Sequence, residues 1–170
     1  MRSIGILADT HGFLDPSLFN YFRDCDELWH AGDFGKGIAE ALAAFKPLKG
    51  VFGNIDGSDV RSVFKKDMVF SCEGVNIFMT HIGGYPGHYD ARVKSLLQSL
   101  KPQIFITGHS HIIKIMRDPK LNDLLHINPG AAGKVGFHIM RTVVRLKIDG
   151  KRIFDVEVIE LGKKSAVIKK

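Results

Sequence analysis

Seven side chains with metal-binding donor atoms recur along this chain where apolar runs end: Asp9, His11, Asp33, Asn54, His81, His109 and His111. Two carboxylates, four imidazoles and one amide oxygen make a borderline donor set. Imidazole suits Zn, Fe, Ni and Cu, whereas carboxylate and water suit Mg and Mn. No thiolate accompanies them, which argues against a structural zinc. Seven protein donors are too many for one tetrahedral ion and suit two ions sharing a carboxylate. Asp33 is the natural bridge, because it lies between the other donors in the chain and would end a central strand. Two carboxylates, two dications and a bridging hydroxide would leave a net charge of roughly +1, which draws an anionic phosphate. Ions ~3.5–4 Å apart can hold the attacking and leaving oxygens of an in-line displacement, and they lower the pKa of water towards ~7. No protein nucleophile is then needed. Asp33 and Asn54 are expected to support catalysis by holding ions, and Asn54 and His109 to touch substrate.

Such donors meet only if strand ends converge. Arg2 to Ala8 carries Ile4, Ile6 and Leu7 and enters Asp9-Thr10-His11-Gly12, which predicts a buried strand running into a loop. Pro16 suits a first helical turn with Asp15 as N-cap, and Leu18, Phe19 and Phe22 supply an apolar face. Glu27 to Ala31 reads as a strand ending at Gly32-Asp33, Gly37 to Lys46 as a helix, and Leu48 to Phe52 as a strand ending at Gly53-Asn54. This β-α-β-α-β run predicts a parallel sheet with right-handed crossovers. Ligands of such sheets bind beyond the carboxyl ends of the strands. Then the pattern changes. Met68 to Cys72 and Val75 to Thr80 flank a hairpin turn at Glu73-Gly74. Asp90 to Leu100 is an amphipathic helix, and Gln103 to Thr107 a strand ending at Gly108-His109. Ile112 to Met116, Leu124 to Ile127, Thr142 to Ile148 and Arg152 to Leu161 follow as strands, the last two joined at Asp149-Gly150. Two mixed sheets packed face to face, with helices outside, satisfy both halves; the class is α/β.

Asp9-Thr10-His11, Gly32-Asp33, Gly53-Asn54, Thr80-His81 and Gly108-His109-Ser110-His111 together resemble the motif set of the calcineurin-like metallophosphoesterases. Asp-x-His alone arises by accident; five motifs in this order, each at a strand end, carry weight. The short chain resembles the small bacterial and archaeal phosphodiesterase branch, which includes the retromer scaffold subunit. The resemblance implies a four-layer αββα sandwich and hydrolysis of a phosphate ester with two divalent cations, manganese first, with Ni, Zn, Fe or Mg as alternatives. It implies that Asp9, His11 and His111 hold one ion, that Asn54, His81 and His109 hold the other, and that Asp33 bridges. Asn128-Pro129-Gly130 resembles a further element that shapes the loop beside His111. One departure stands out. The larger family carries Gly-Asn-His-Asp/Glu where this chain has Gly53-Asn54-Ile55-Asp56, and Ile55 cannot protonate a leaving group. General acid help is worth about 10²–10⁴-fold. Phosphodiesters and aryl esters are therefore expected to be better substrates than alkyl monoesters. Asp56, His88 and His138 are candidates for a supporting or acid role.

Each donor alone has an ordinary explanation: Asp33 or Asn54 could cap a helix, and His81 could be a satisfied core residue. The ordered set carries the reading. His30 is expected to be buried or to orient a donor, and His126 to pack on the strand before Asn128. Gly12, Gly32, Gly53 and Gly108 read as turn glycines that let backbone crowd the ions. The loop with Gly83-Gly84, Pro86 and Gly87 reads as a surface loop or one that flexes over substrate. Most of the 12 phenylalanines fall at inward positions, with Phe64 and Phe70 able to line a pocket.

At 170 residues, 45% of them hydrophobic and 25% charged, the chain fits one domain able to bury its own core. That domain is expected over 1–162, with a basic tail over 163–170. The net charge is +6, but Lys163, Lys164, Lys169 and Lys170 supply four of it, so the body is near neutral. No apolar run reaches the ~18 residues of a membrane span, and the N-terminus reads as a strand rather than a targeting peptide. A cytoplasmic protein with no membrane partner is expected. Cys25 and Cys72 form no CxxC pair and read as free thiols. The expected partner is a small phosphate ester, with homo-oligomerisation left open. A nuclease is disfavoured by the near-neutral body and by the lack of a recognisable aromatic stacking platform. A metal-binding interaction scaffold is the other alternative; the full donor set counts against it, because a scaffold can lose its histidines.

Overall fold

Strict alternation in the first strand sorts its side chains between two cores. In the computed structural model, which describes residues 1–165, β1 (Arg2–Leu7) sends Ile4 and Ile6 to one core and Leu7 to another. Strands β2 (Glu27–His30) and β3 (Leu48–Gly50) join it in parallel, with α1 (Ser17–Tyr21) and α2 (Ile38–Phe45) as crossovers. A short helix, α3 (Ser58–Arg61), follows; its four residues are too few to leave a periodic pattern in the sequence. Strands β4 (Asp67–Cys72) and β5 (Val75–Thr80) form the expected hairpin. Its turn residues Glu73 and Gly74 both have left-handed backbones, at φ 50° and 78°, as a type I′ turn requires. Next come a ribbon of β6 (Gly84–Tyr85) and β7 (His88–Tyr89), then α4 (Ala91–Leu100) and β8 (Ile104–Ile106). Strands β9 (Ile113–Asp118), β10 (Leu124–Pro129), β11 (Met140–Asp149) and β12 (Arg152–Lys163) complete the described chain.

The strands form two mixed sheets of five, ordered β12-β11-β1-β2-β3 and β4-β5-β8-β10-β9. Ile4, Ile6 and Trp29 of the first sheet meet Ile77, Met79, Ile104 and Ile127 of the second in the central core. On the outer face of the first sheet, Leu18, Phe22 and Leu42 cover Leu7 and Leu28. On the outer face of the second, Val93 and Leu97 of α4 cover Phe78 and Phe105. This is the four-layer αββα sandwich. Each such Leu, Ile or Phe fully removed from water contributes ~1.5–3 kcal/mol. Among the described residues, no helix is long and apolar enough to cross a membrane. Cys25 and Cys72 are buried free thiols.

Some local details differ from expectation. The start of α1 is not among them: Pro16 has helical backbone at φ −58° and ψ −28°, and Asp15 before it caps the helix as expected. Its Oδ1 accepts the Ser17 amide at 2.9 Å and hydroxyl at 2.8 Å. Asp149 pairs with Arg152, so the last hairpin turns on Gly150-Lys151 and not Asp149-Gly150. The loop after Gly83 folds back on itself as a ribbon turning at Pro86-Gly87, with Gly87 at φ 87° in the position where a turn after proline favours glycine. Strand β12 runs to Lys163, and the Lys164 amide donates to the Ile139 carbonyl at 2.8 Å. Lys169 and Lys170 lie outside the described residues.

One buried ion pair ties α1 to the last hairpin. Arg141 Nη1 donates to Asp15 Oδ2 at 2.6 Å, and its Nη2 donates to the Leu161 carbonyl at 3.1 Å. Burial works against the charged form of Asp15, but Arg141 and Ser17 outweigh it and hold the carboxyl below its usual range. A carboxyl with a depressed folded-state value stabilises the fold above its unfolded pKa of ~3.9 and loses that contribution as pH falls through the folded value. Asp15→Ala is expected to cost about 3–5 kcal/mol at pH 7 by urea denaturation, because it strands a buried guanidinium. The gap to wild type is expected to shrink below pH 4 (about the unfolded value of the carboxyl).

Candidate metal centre

The carboxyl ends of five strands meet at one edge of the sandwich. Asp9 and His11 follow β1, Asp33 follows β2, Asn54 follows β3, His81 follows β5, and His109 and His111 follow β8. Their donor atoms form two groups, Asp9–His11–His111 and Asp33–His81–His109, each with all atoms within 4.8 Å of one another. Asn54 Oδ1 joins the second group, 3.1 Å from His81 Nε2 and 3.0 Å from His109 Nδ1. Asp33 Oδ2 faces both groups, 3.2 Å from His81 Nε2 and 3.6 Å from His11 Nε2. All seven expected residues are thus brought together.

Backbone pairing between β1 and β2 continues into the loops that carry the donors. The Asp9 amide donates to the Gly32 carbonyl (3.0 Å), His11 to Asp33 (3.1 Å) and Gly12 to Phe34 (2.9 Å). The side chains turn into one space because Asp9, His11, Asp33, His109 and His111 all have left-handed backbones, with φ from 45° to 70°. Such conformations cost non-glycine residues about 1–3 kcal/mol each and persist only where surroundings enforce them. Three devices enforce them here. His30 is stacked on Phe34 (3.7 Å) and accepts the Gly32 amide at Nδ1 (3.1 Å), so its Nε2–H donates to the Thr10 hydroxyl (3.0 Å). Thr10 in turn donates to the Phe34 carbonyl (2.7 Å). The Asp56 carboxylate accepts three amides, from Phe34 (3.2 Å), Gly35 (3.1 Å) and Gly53 (2.9 Å). Asn128 Nδ2 donates to the Gly108 carbonyl and the Ser110 hydroxyl, both at 3.0 Å. Gly53 has to be glycine, because a Cβ there would overlap the Asp33 carboxylate.

The electrostatics select cations. Asp9 is fully buried and Asp33 nearly so. Asp9 Oδ2 accepts the His109 amide at 3.0 Å, but its Oδ1 has no hydrogen-bond partner. Around that oxygen stand His111 Nε2 at 3.2 Å and His11 and His81 Nε2 at 3.8 Å. Asp33 Oδ1 takes the Ile55 amide at 3.0 Å, which leaves Oδ2 turned to the imidazoles. His81 Nδ1 lies 2.7 Å from the Ala31 carbonyl and donates to it, which aims Nε2 inward as metal-binding imidazoles require. Burial would raise both carboxyls, but the surrounding imidazoles hold them low. The Asp9 carboxylate close by raises His11, and the two carboxylates raise His81 against the opposing effect of burial. Burial lowers His109 and pushes His30 down to about 3, so His30 stays neutral. Buried anions facing convergent nitrogen and oxygen lone pairs fit divalent cations.

The supporting residues fall out differently from expectation. Among the described residues Asp56 makes no hydrogen bond to an imidazole; with both oxygens on backbone amides it clamps the Asp33 and Asn54 loops together, a supporting role. His138 packs edge-on against His111, with ring centroids 5.3 Å apart, and spends its Nε2–H on the Gly133 carbonyl (2.8 Å). His88 shares a cleft with His109. Its ring lies 4.8 Å from that of Tyr85, an aromatic pair that the sequence reading missed. His126 is buried on β10, and burial pushes it down to about 4. Phe64 stacks on Phe34 and Phe70 packs edge-on against Trp29, so neither lines the clefts beside the centre; Phe52 does. Arg61 at the end of α3 and Lys66 just before β4 were also missed, because single cations at such places carry no spacing signal. Asp56→Ala is expected to weaken the affinity for added divalent cations about 10–100-fold by calorimetric titration, with the donors themselves intact.

Comparison with known proteins agrees with this geometry. A relative described as a probable metallophosphoesterase, from Methanothermobacter thermautotrophicus, is 29% identical over 168 residues, covering 94% of this chain and 92% of its own. The structure of an archaeal phosphodiesterase superposes with a TM-score of 0.71 at 22% identity, covering 92% of this chain and 99% of the other. Vps29 from Entamoeba histolytica complexed with Zn²⁺ superposes at 0.70 with 17% identity, covering 94% and 99%. The profile of the calcineurin-like phosphoesterase superfamily domain matches residues 1–151, and the chain belongs to that superfamily.

Proposed function

We propose that this chain is a phosphodiesterase in which Asp9, His11, Asp33, Asn54, His81, His109 and His111 hold two divalent cations, manganese by preference. The observation that carries this reading is Asp33 Oδ2, which lies within 3.6 Å of imidazole nitrogens of both donor groups, where one carboxylate can serve two ions. Bound cations supply Lewis acidity at phosphoryl oxygens and a lowered pKa for water. The protein's part is to hold the donors rigid. The Ile55 amide fixes Asp33, the Ala31 carbonyl fixes His81, and Asp9 is fixed by the His109 amide. The exposure of Asn54 and His109 supports their contact with substrate.

Two clefts support a diester over a monoester. One, of about 330 Å³, adjoins His109; the other, of about 370 Å³, adjoins Asn54 and His81. Ile82 and Asp90 wall both, so the clefts open on either side of one ridge and offer room for two ester arms. Similarity to the archaeal phosphodiesterase points the same way. Ile55 is half exposed and offers no proton, while His88 on the wall of the first cleft can approach a leaving oxygen. A metal-binding interaction scaffold is the second reading, favoured by the likeness to Vps29 and by the exposed Val135, Phe137 and Ile139 on one loop.

Turnover of a diester and a monoester of the same phenol, after reconstitution with Mn, Ni, Zn or Mg, separates the readings. Metal-dependent cleavage favouring the diester is expected, and Asp33→Asn should lower it at least ~100-fold. Equal inertness of metal-stripped and reconstituted protein across the panel would hand the site to the scaffold reading. His88→Gln is expected to slow an alkyl diester about 100-fold or more while sparing an aryl diester, whose leaving group needs no proton. Equal rates on the alkyl diester would remove His88 from the reaction.

A further inference from the structure

The two clefts beside the centre differ in charge. In the one next to Asn54 and His81, Arg61 and Lys66 have no carboxylate partner among the described residues. Arg61 is nonetheless held in place. Its Nε donates to the Asp56 carbonyl at 2.6 Å, and the guanidinium lies 4.3 Å over the Phe52 ring. Its Nη2 donates weakly to the Gly53 and Asn54 carbonyls, both at 3.5 Å, so among the described residues Nη1 is the nitrogen without a partner. Arg92 on the same wall is neutralised by two bonds to Asp67, at 2.6 and 3.1 Å. Asp90 is the acid of this cleft, and its Oδ1 is occupied by the Arg92 amide at 3.0 Å as the cap of α4. The opposite cleft has Tyr85, His88, Tyr89 and Ile112 on its walls. Its cation, Lys114, rests 3.8 Å over the Tyr85 ring.

We propose that the Arg61–Lys66 cleft binds a second phosphate group, carried on one ester arm of the substrate. The inference rests on the phosphodiesterase reading and narrows it to diesters with a further phosphate on one arm and a planar, uncharged group on the other. Arginine held by carbonyls and an aromatic face loses little freedom on meeting a phosphate, and the two N–H groups of Arg61 Nη1 are there to donate to its oxygens. Lys66 adds a mobile point charge beside it. The aromatic cleft has one cation, Lys114, lying over the Tyr85 ring, against Arg61 and Lys66 in the other, and its Tyr85, His88 and Tyr89 rings suit a planar group, for which stacking is the available contact.

The test is calorimetric binding to manganese-loaded protein of thymidine 3′,5′-bisphosphate and thymidine 5′-monophosphate, which share a ring and differ by one phosphate. The bisphosphate is expected to bind about tenfold tighter or better, with the steeper salt dependence. Lys66→Met and Arg61→Lys should each cut that ratio to below about threefold. Arg61→Lys can also loosen the Asp56 loop, so Lys66→Met, which removes a side chain with no hydrogen-bond partner among the described residues, decides the matter. A wild-type ratio near one, or a preference that survives both substitutions, overturns the proposal. Turnover of bis(p-nitrophenyl) phosphate by the same preparation separates the two claims. Inert protein with an intact preference sinks the phosphodiesterase reading and leaves the phosphate cleft standing. Active protein without the preference does the reverse.

Discussion

Two carboxylates buried at the junction of two sheets set the terms for everything around them. Asp9 is removed from water with one oxygen unbonded, and Asp33 is nearly as enclosed. Leaving such charges unmatched is costly, so positive charge has to come to them. Imidazoles ring them at hydrogen-bond distance or slightly beyond, with His81 aimed by the Ala31 carbonyl and Asp9 itself fixed by the His109 amide. A site with this arrangement attracts cations because of what the fold has buried there.

The fold sustains that burial through backbone geometry. Five of the seven donors occupy left-handed conformations, which an isolated loop would abandon. They are retained because parallel pairing extends past the ends of β1 and β2, and because Asp56, His30 with Thr10, and Asn128 each tie neighbouring loops together. None of these residues needs to touch a substrate. Their contribution is to prevent relaxation, which is what positioning groups contribute at many active sites.

Much of this was legible in the sequence, and for identifiable reasons. The period-two runs ending in Asp9, Asp33 and His81 announced buried strands and strand-end donors together, so the layers and the seven donors could be read at once. Less could be read where a residue's task depends on contacts distant in the chain. Asp56 looked like a spare acid beside Asn54, yet its partners include Phe34 and Gly35 more than twenty residues away. His138 looked free to reach a leaving group, but the Gly133 carbonyl holds it behind His111. The hairpin after β11 turns one residue later than its Asp-Gly signal, because pairing of Asp149 with Arg152 fixes the register. The paired clefts were invisible, since their walls come from five separate stretches of chain.

The donors are divided between the layers. Asp9, His11, Asp33 and Asn54 belong to the first sheet, and His81, His109 and His111 to the second. Each group of converging atoms therefore draws on both. Anything bound there fastens one half of the sandwich to the other like a rivet, and its binding energy adds to the cohesion of the central core by mass action. The reverse also holds: loosening the apolar contacts between Trp29 and its neighbours across the gap would be felt as weaker affinity at an edge they never touch.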